Sequence, residues 1–327
     1  MSQAAYDVVA VGNAIVDVLA QVDYAFIDAN GLVPASMTLI EEPRAIELTE
    51  LFPNKVIAPG GSAANSMTGV ASFGGRAGYM GKVADDQLGR DFTAAFRAEG
   101  VRFDTPPRPG QPATARSLIA VTPDGQRSMN TFLGASTLLD AKDVDKPLIE
   151  SATVLFLEGY LFDRDEAKAA FVHASEIAKA AGRKVSVTLS DIFCVERHRE
   201  SFRHLVEHHI DILFANELEI IALYQTHDFE TALAAAREVC PIVAVTRSEK
   251  GSVIAAGSET HVVKAEPVAK VIDTTGAGDQ YAAGFLFGYA TGRELPECGR
   301  LGSVAAAEVI SHMGPRPETS LKELARI

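Results

Sequence analysis

The sequence predicts an α/β protein: a mostly parallel sheet covered on both faces by helices, with a small β-rich region attached. Three observations predict it. In the later part of the chain, apolar strand-like runs alternate with helix-period segments, the pattern of strand–helix–strand crossovers. Two irregular stretches, about 22–55 and 102–133, break that pattern and hold only short strands. The 327 residues, 47% of them hydrophobic, suffice for one large α/β domain or two modest ones with a sizeable core.

Taken in order, "YDVVAVG" and "AIVDVLAQV" read as strands. The segment from Ala25 to Glu50 is mixed, with a short strand at "SMTLI". "KVIAPGGSAANSMTGVASFGG" is a strand, a glycine turn and a helix from about Ser62. "RAGYMGKV" is a strand, and "DDQLGRDFTAAFRAEG" is a helix capped by Asp85 and ended by Gly100. A region rich in Pro and Gly follows, in which "SLIAV" and "RSMNTF" are strands joined by the turn "TPDGQ". The alternating part then supplies the strands "ATVLFLEG", "KVSVTLS", "DILFAN" and "IVAVTRS". Its helices include "RDEAKAAFVHASEIAKAAG", "ELEIIALYQ" and "ETALAAAREV". This organisation assigns 1–21, 56–101 and 134–327 to the large domain, and 22–55 with 102–133 to a small one. The small one is placed to lie over the sheet edge as a lid and exclude water.

Composition narrows the function. A net charge of −13 disfavours a nucleic-acid or anionic-membrane partner, since either needs a basic surface. A small anionic ligand, which needs only a local positive site, stays compatible. No apolar run reaches the roughly 18 residues of a spanning helix, and the N-terminus lacks a basic stretch and cleavage site. Cys194, Cys240 and Cys298 are too far apart for a metal motif or a disulfide framework. They read as reduced thiols of a cytoplasmic protein.

Ligands of parallel sheets bind in the loops after strands, here "GGSAAN", "LSD", "NELE", "TRSEKG" and "DTTGAGD", and five constellations are candidates for chemistry. In "DTTGAGD", Gly276 and Gly278 let the backbone approach a ligand, and the N–H groups of Ala277, Gly278 and Asp279 open a helix. Unpaired N–H groups and the helix dipole make an anion site. Asp279 at its mouth is then either a general base beside a phosphoryl group or an N-cap after a glycine turn. In "GNAIVD", Asn13 and Asp17 suit hydroxyl groups, and Asp17 can accept two hydrogen bonds from a vicinal diol; the alternative is a turn residue. In "GGSAAN", Gly60 and Gly61 are a hinge or a tight strand-to-helix turn ahead of Ser62, and Asn65 lies one turn into the helix. In "NELE", Asn216 and Glu219 share a helix face, which suits Mg²⁺ held through waters or an ordinary cap pair. Arg127 in "DGQRSMN" is either a cation that balances phosphate charge when a lid closes or a solvated turn arginine. No GxxxxGK[ST] and no GxGxxG after the first strand is present, which removes the P-loop and dinucleotide-binding readings.

In this order the motifs resemble the ribokinase family of carbohydrate and nucleoside kinases, also called PfkB-type kinases. "DTTGAGDQYAAG" is similar to that family's C-terminal signature and "GGSAAN" to its N-terminal glycine signature. "NELE" is similar to its NxxE motif, and "TRSEKG" to its TxGxxG nucleotide loop, with Ser248 where glycine is usual. The resemblance implies a Rossmann-like domain with a β-rich lid, and ATP-dependent phosphorylation of a primary alcohol with Mg²⁺. It implies Asp279 as base, Ala277 to Asp279 as anion hole after the Gly276 turn, and Asn13, Asp17, Gly60, Gly61, Ser62 and Asn65 on the acceptor. Asn216 and Glu219 would serve Mg²⁺ and the phosphates, and Asn216, Thr246, Ser248, Gly251 and Thr275 the nucleotide. Asp273 and Thr275 match part of the family's monovalent-cation (K⁺) site. Within the family, "GNAIVD" looks most like the adenosine kinase branch, which implies Tyr160 against the base and Arg127 near the transferring phosphate. Adenosine is the expected acceptor, with ribose, fructose or a related sugar as the alternative. An exposed lid edge either pairs two copies as a homodimer or covers the site of a monomer.

Overall fold

The computed structural model describes residues 4–34 and 36–327. Among these residues the first strands in chain order are β1 (Tyr6–Val11), β2 (Ile15–Gln21), β3 (Met37–Leu39), β4 (Val56–Gly60), β5 (Ala77–Met80), β6 (Arg102–Phe103) and β7 (Ala115–Val121). They are followed by β8 (Arg127–Phe132), β9 (Ala152–Glu158), β10 (Lys184–Thr188), β11 (Ile212–Asn216), β12 (Ile242–Thr246), β13 (Ser252–Ala256) and β14 (Glu259–Val263). Nine strands form one sheet in the order β14-β13-β12-β11-β10-β9-β1-β5-β6. It is parallel from β12 to β6, and β13 and β14 add an antiparallel edge.

Strand period puts alternate residues on opposite faces, and both faces are dry. Val9, Val11, Leu155 and Leu157 project into one core with Phe171, Phe202, Ile220 and Leu233 from the helices Asp165–Ala180, Ile192–His209, Glu217–Tyr224 and Phe229–Val239. Val8, Ala10, Val154 and Phe156 project into the other with Met67, Phe96, Phe285 and Cys298. Those come from the helices Ser62–Ser72, Gln87–Ala98, Ala277–Ala290 and Leu295–Val309. Burial of each such aliphatic or aromatic side chain contributes about 1.5–3 kcal/mol. The helix Ala277–Ala290 is apolar nearly all round because it is wrapped by its neighbours. A Cβ at Gly284 would stand 2.4 Å from the Leu301 carbonyl oxygen, so this contact needs glycine.

The second sheet has the order β3-β8-β7-β2-β4 and mixes parallel and antiparallel pairs. Val18, Ala20, Leu118 and Ala120 on one face pack against Ala45 and Leu48 of the helix Glu42–Leu51. On the other face the register aligns Asp17 with Ser117 and Thr131, Leu19 with Ile119 and Met129, and Gln21 with Val121 and Arg127. Asp17 and Arg127 therefore share the face turned away from that helix.

The structure redraws the division read from sequence. β2 and β4, placed on the large-domain side, belong to the small sheet, and β6, placed with the small one, joins the large sheet. The chain passes from β1 to β2 within Gly12–Ala14, too short a link to show as a boundary. The segment 25–50 holds the helices Tyr24–Ala29 and Glu42–Leu51 as well as β3. Asp86, not Asp85, caps the helix Gln87–Ala98, with its Oδ1 accepting from the Gly89 N–H at 2.8 Å, while Asp85 pairs with Arg90. Among the described residues no helix is long and apolar enough to cross a membrane. All three cysteines are buried and unpaired by disulfides.

Candidate active site

The site grows from aligned strand ends. Val11 pairs with Leu157, Glu158 with Thr188 and Asn216 with Thr246, so the carboxyl ends of the parallel strands finish together. The crevice beyond such an edge is where parallel sheets bind ligands.

The loop Asp273 to Gly276 is held from below. The buried Asp273 carboxylate accepts from the Thr275 N–H at 2.9 Å and hydroxyl at 2.6 Å, and from the Gly314 N–H at 3.0 Å. Gly276, at φ 77°, is the N-cap of the helix Ala277–Ala290, and a Cβ there would meet Pro315 at 2.7 Å. The Ala277 N–H donates to the Thr274 carbonyl at 3.3 Å. The expected three-amide anion hole thus narrows to the Gly278 and Asp279 N–H groups, which as first-turn donors have no intrahelical acceptor. Gly278 is exposed, with open space around it.

Asp279 is not the N-cap. It lies inside the first turn, and its carboxylate is tied to another helix altogether. Ser62 Oγ donates to Oδ1 at 2.6 Å and Asn65 Nδ2 to Oδ2 at 3.0 Å, while Ser66 Oγ donates to the Asp279 carbonyl at 3.0 Å. Burial raises its pKa, against those two hydrogen bonds and the Arg127 charge. A carboxylate so raised is a better proton acceptor at neutral pH. Ser62, expected on the acceptor, is hydrogen-bonded to this carboxylate. From the small sheet, Arg127 donates to the Thr275 hydroxyl at 2.6 Å and the Thr274 hydroxyl at 3.1 Å, and its Nε stands 3.7 Å from Asp273 Oδ1.

On the facing wall, Gly60 and Gly61 form a tight turn rather than an open hinge. A Cβ on Gly60 would lie 2.2 Å from the Asp17 carboxyl group. One on Gly61, at φ 94°, would lie 2.1 Å from the Asn13 carbonyl oxygen. Asp17 is buried, and burial pushes its carboxyl up to about 7; Arg316 and Arg127 oppose the shift, Asp279 and Asp273 add to it. Asn13 is turned toward Glu158, whose Oε1 accepts from its amide nitrogen at 2.9 Å and its N–H at 3.2 Å. Glu158 Oε2 accepts from the Ala63 N–H at 2.7 Å, yet burial still lifts this carboxyl to about 7. Tyr160 packs half-buried against the core and donates to the Ser190 carbonyl at 3.3 Å; burial, then the charges of Asp191, Asp279 and Glu219, push its phenol up.

At the other end, Asn216 and Glu219 form a capping box. Glu219 Oε2 accepts from the Asn216 N–H at 2.9 Å, Oε1 from its amide at 2.7 Å, and the Glu219 N–H donates back at 2.8 Å. Burial lifts the Glu219 carboxyl to about 7. Each of its oxygens keeps a lone pair for water. Among the described residues no cluster of three His, Cys, Asp or Glu can hold a metal. The Asn216 amide and the Glu219 carboxylate suit an ion held through waters and bound mostly by phosphate, as Mg²⁺ commonly is. Thr246 ends β12, and Ser248 sits at φ 51°, which accounts for glycine being usual there in the resemblance. Gly251, at φ 86°, has no room for a Cβ, which would stand 2.0 Å from the Val263 carbonyl oxygen.

Two residues of this site escape the sequence motifs. Glu158 had a signal: a lone acid ending the apolar strand "ATVLFLE" is costly to bury without partners. Arg316 had none, because it reaches Asn65 across 251 residues, at 3.4 Å from Nε to Oδ1.

Residues 19–321 match the pfkB family of carbohydrate kinases. The structure of an adenosine kinase from Sinorhizobium meliloti is 51% identical, with 98% of each chain covered and a TM-score of 0.94. That of a probable sugar kinase from Rhizobium etli is 48% identical, covering 99% of this chain and 98% of that one, with a TM-score of 0.95. An uncharacterized sugar kinase of Archaeoglobus fulgidus is 31% identical over 252 residues, 76% of this chain and 96% of that protein. The chain belongs to the pfkB family of carbohydrate kinases, phosphotransferases that act on hydroxyl groups.

Proposed function

We propose that this protein transfers the terminal phosphoryl group of ATP to the 5′-hydroxyl of adenosine. The observation that carries the chemistry is the Asp279 carboxylate, fixed by Ser62 and Asn65 beside the Gly278 and Asp279 amides. The acceptor hydroxyl hydrogen-bonds to Asp279, which takes its proton as the new P–O bond forms and the bond from the γ-phosphorus to the β-phosphate oxygen breaks, releasing ADP. The two amides and Arg127 face the negative charge on the transferring group, and such positioning and charge stabilisation account for most of phosphoryl-transfer catalysis. Asp17 and Asn13 hold the ribose hydroxyls, and Tyr160 lies against the base. Asn216 and Glu219 would hold Mg²⁺ through water, and the ion would neutralise phosphate charge. A monovalent cation would belong beside Asp273 and Thr275, a corner where Arg127 already supplies a positive partner. The site is read as belonging to a cytoplasmic enzyme.

Adenosine is supported by the 51% identity to the Sinorhizobium meliloti adenosine kinase over 98% of the chain. A bare sugar such as ribose or fructose is the second reading, favoured by the polar acceptor wall of Asp17, Asn13 and Glu158. Asp279→Asn tests the chemistry: turnover should fall by about 10²-fold or more, while the Kd of the acceptor changes far less. Near-normal turnover in that variant refutes the assigned base.

A further inference from the structure

The Asp279 carboxylate is aimed by Asn65, but an amide can do this only in one of its two orientations. Nδ2 must face Asp279 and Oδ1 must face a donor. Arg316 is that donor, with its Nε 3.4 Å from Asn65 Oδ1. The guanidinium is itself fixed from behind. Its Nη1 lies 2.8 and 2.7 Å from the two Glu99 carboxylate oxygens, and its plane carbon stands 5.3 Å from the Phe96 ring centroid. Its backbone is fixed as well: the Gly314 N–H is on Asp273, and the Pro315 carbonyl accepts from Gln280 Nε2 at 3.0 Å. That same Gln280 nitrogen donates to the Asn65 carbonyl at 2.9 Å. A chain of contacts therefore runs Glu99, Arg316, Asn65, Asp279.

We propose that Arg316 is a positioning residue for phosphoryl transfer: it locks the Asn65 amide so that the Asp279 carboxylate stays aimed at the acceptor hydroxyl. Without it, Asn65 is free to flip and turn its oxygen toward Asp279, where it repels the carboxylate.

The inference rests on Asp279 being the base, and the tests separate the two. The variants are Arg316→Met, Arg316→Lys, Asn65→Ala and the Asn65→Ala/Arg316→Met double variant, assayed with adenosine and ATP from pH 5 to 9, with thermal melting as a control on folding. Arg316→Met should lower kcat at least about tenfold, as misaligned reacting groups do, and leave the KM for ATP unchanged. Arg316→Lys, which keeps a donor for Asn65 Oδ1, should recover part of the lost kcat. The double variant should lose no more kcat than Asn65→Ala alone. Additive losses, or an unchanged kcat with only a lowered Tm, overturn the inference. If Arg316→Met does not fold, Glu99→Gln takes its place: it should lower kcat in the same direction, and an unchanged kcat counts against the relay. Near-normal turnover in Asp279→Asn instead removes the base reading, whatever Arg316 does.

Discussion

Asp17→Asn should make the protein more stable, and increasingly so as pH rises. Asp17 is buried, its burial lifts the carboxyl from 3.8 to about 7, and no hydrogen bond to the carboxylate offsets that shift. For a group raised in the folded state, the favourable contribution is complete below the unfolded pKa and is lost as pH rises through the folded one. Below about pH 4 both states hold the proton. Between about 4 and 7 the unfolded chain releases it and the folded one does not, and above 7 the whole cost is present. At about 1.36 kcal/mol per unit, the cost is roughly 1–2 kcal/mol at pH 5 and up to roughly 4 kcal/mol at pH 8. Asparagine carries no such charge. Guanidinium melts of wild type and variant at pH 5, 6.5 and 8 should show the stability difference growing by about 2–3 kcal/mol over that range. Glu158 and Glu219, also lifted to about 7, are common to both proteins and cancel in the difference. The same variant should lose about 10- to 100-fold in kcat/KM, the value of a hydrogen bond to a charged group. A difference that does not vary with pH, or a variant that weakens as pH rises, refutes the reasoning.

Two more outcomes follow from the same geometry. Glu219→Gln should need more Mg²⁺ for half-maximal rate; an unchanged Mg²⁺ titration would leave Asn216 and Glu219 as a helix-start pair only. Arg127→Ala should act chiefly on kcat, because its charge matters most when the phosphoryl group is in transfer; a raised acceptor KM with unchanged kcat contradicts that.

The parallel core was legible because alternation of strands and helices is a local property of the chain. "ATVLFLEG", "KVSVTLS", "DILFAN" and "IVAVTRS" are β9 to β12, and the helices between them fall where their periods place them. The motif loops were legible for a related reason: "DTTGAGD" and "GGSAAN" need glycine at Gly276 and Gly61 to reach positive φ, which leaves a mark in the sequence. Sheet membership was not legible. Asp17 sits in a strand that looks continuous with the first, yet β2 pairs with β4 and β7, and only long-range register decides that. The partners of the base were half visible. Ser62 and Asn65 stood in a motif, but their bonds to Asp279 span 217 and 214 residues of chain. Arg316, between two prolines in "GPRPETS", had no periodicity or motif to mark it.

The most direct test of the central claim is the kcat/KM of the purified protein for adenosine, set beside ribose and fructose, with ATP and Mg²⁺ in excess. All three present hydroxyls to Asp17 and Asn13, so that wall alone separates them little. On the proposed reading the base adds apolar burial and contact with Tyr160, where an aromatic pair is worth roughly 0.5–1.5 kcal/mol beyond area, and this remote binding energy can also raise kcat. Adenosine should therefore be phosphorylated at its 5′-hydroxyl with higher kcat/KM than either sugar. Faster turnover of ribose or fructose contradicts the nucleoside assignment and puts the sugar kinase reading in its place.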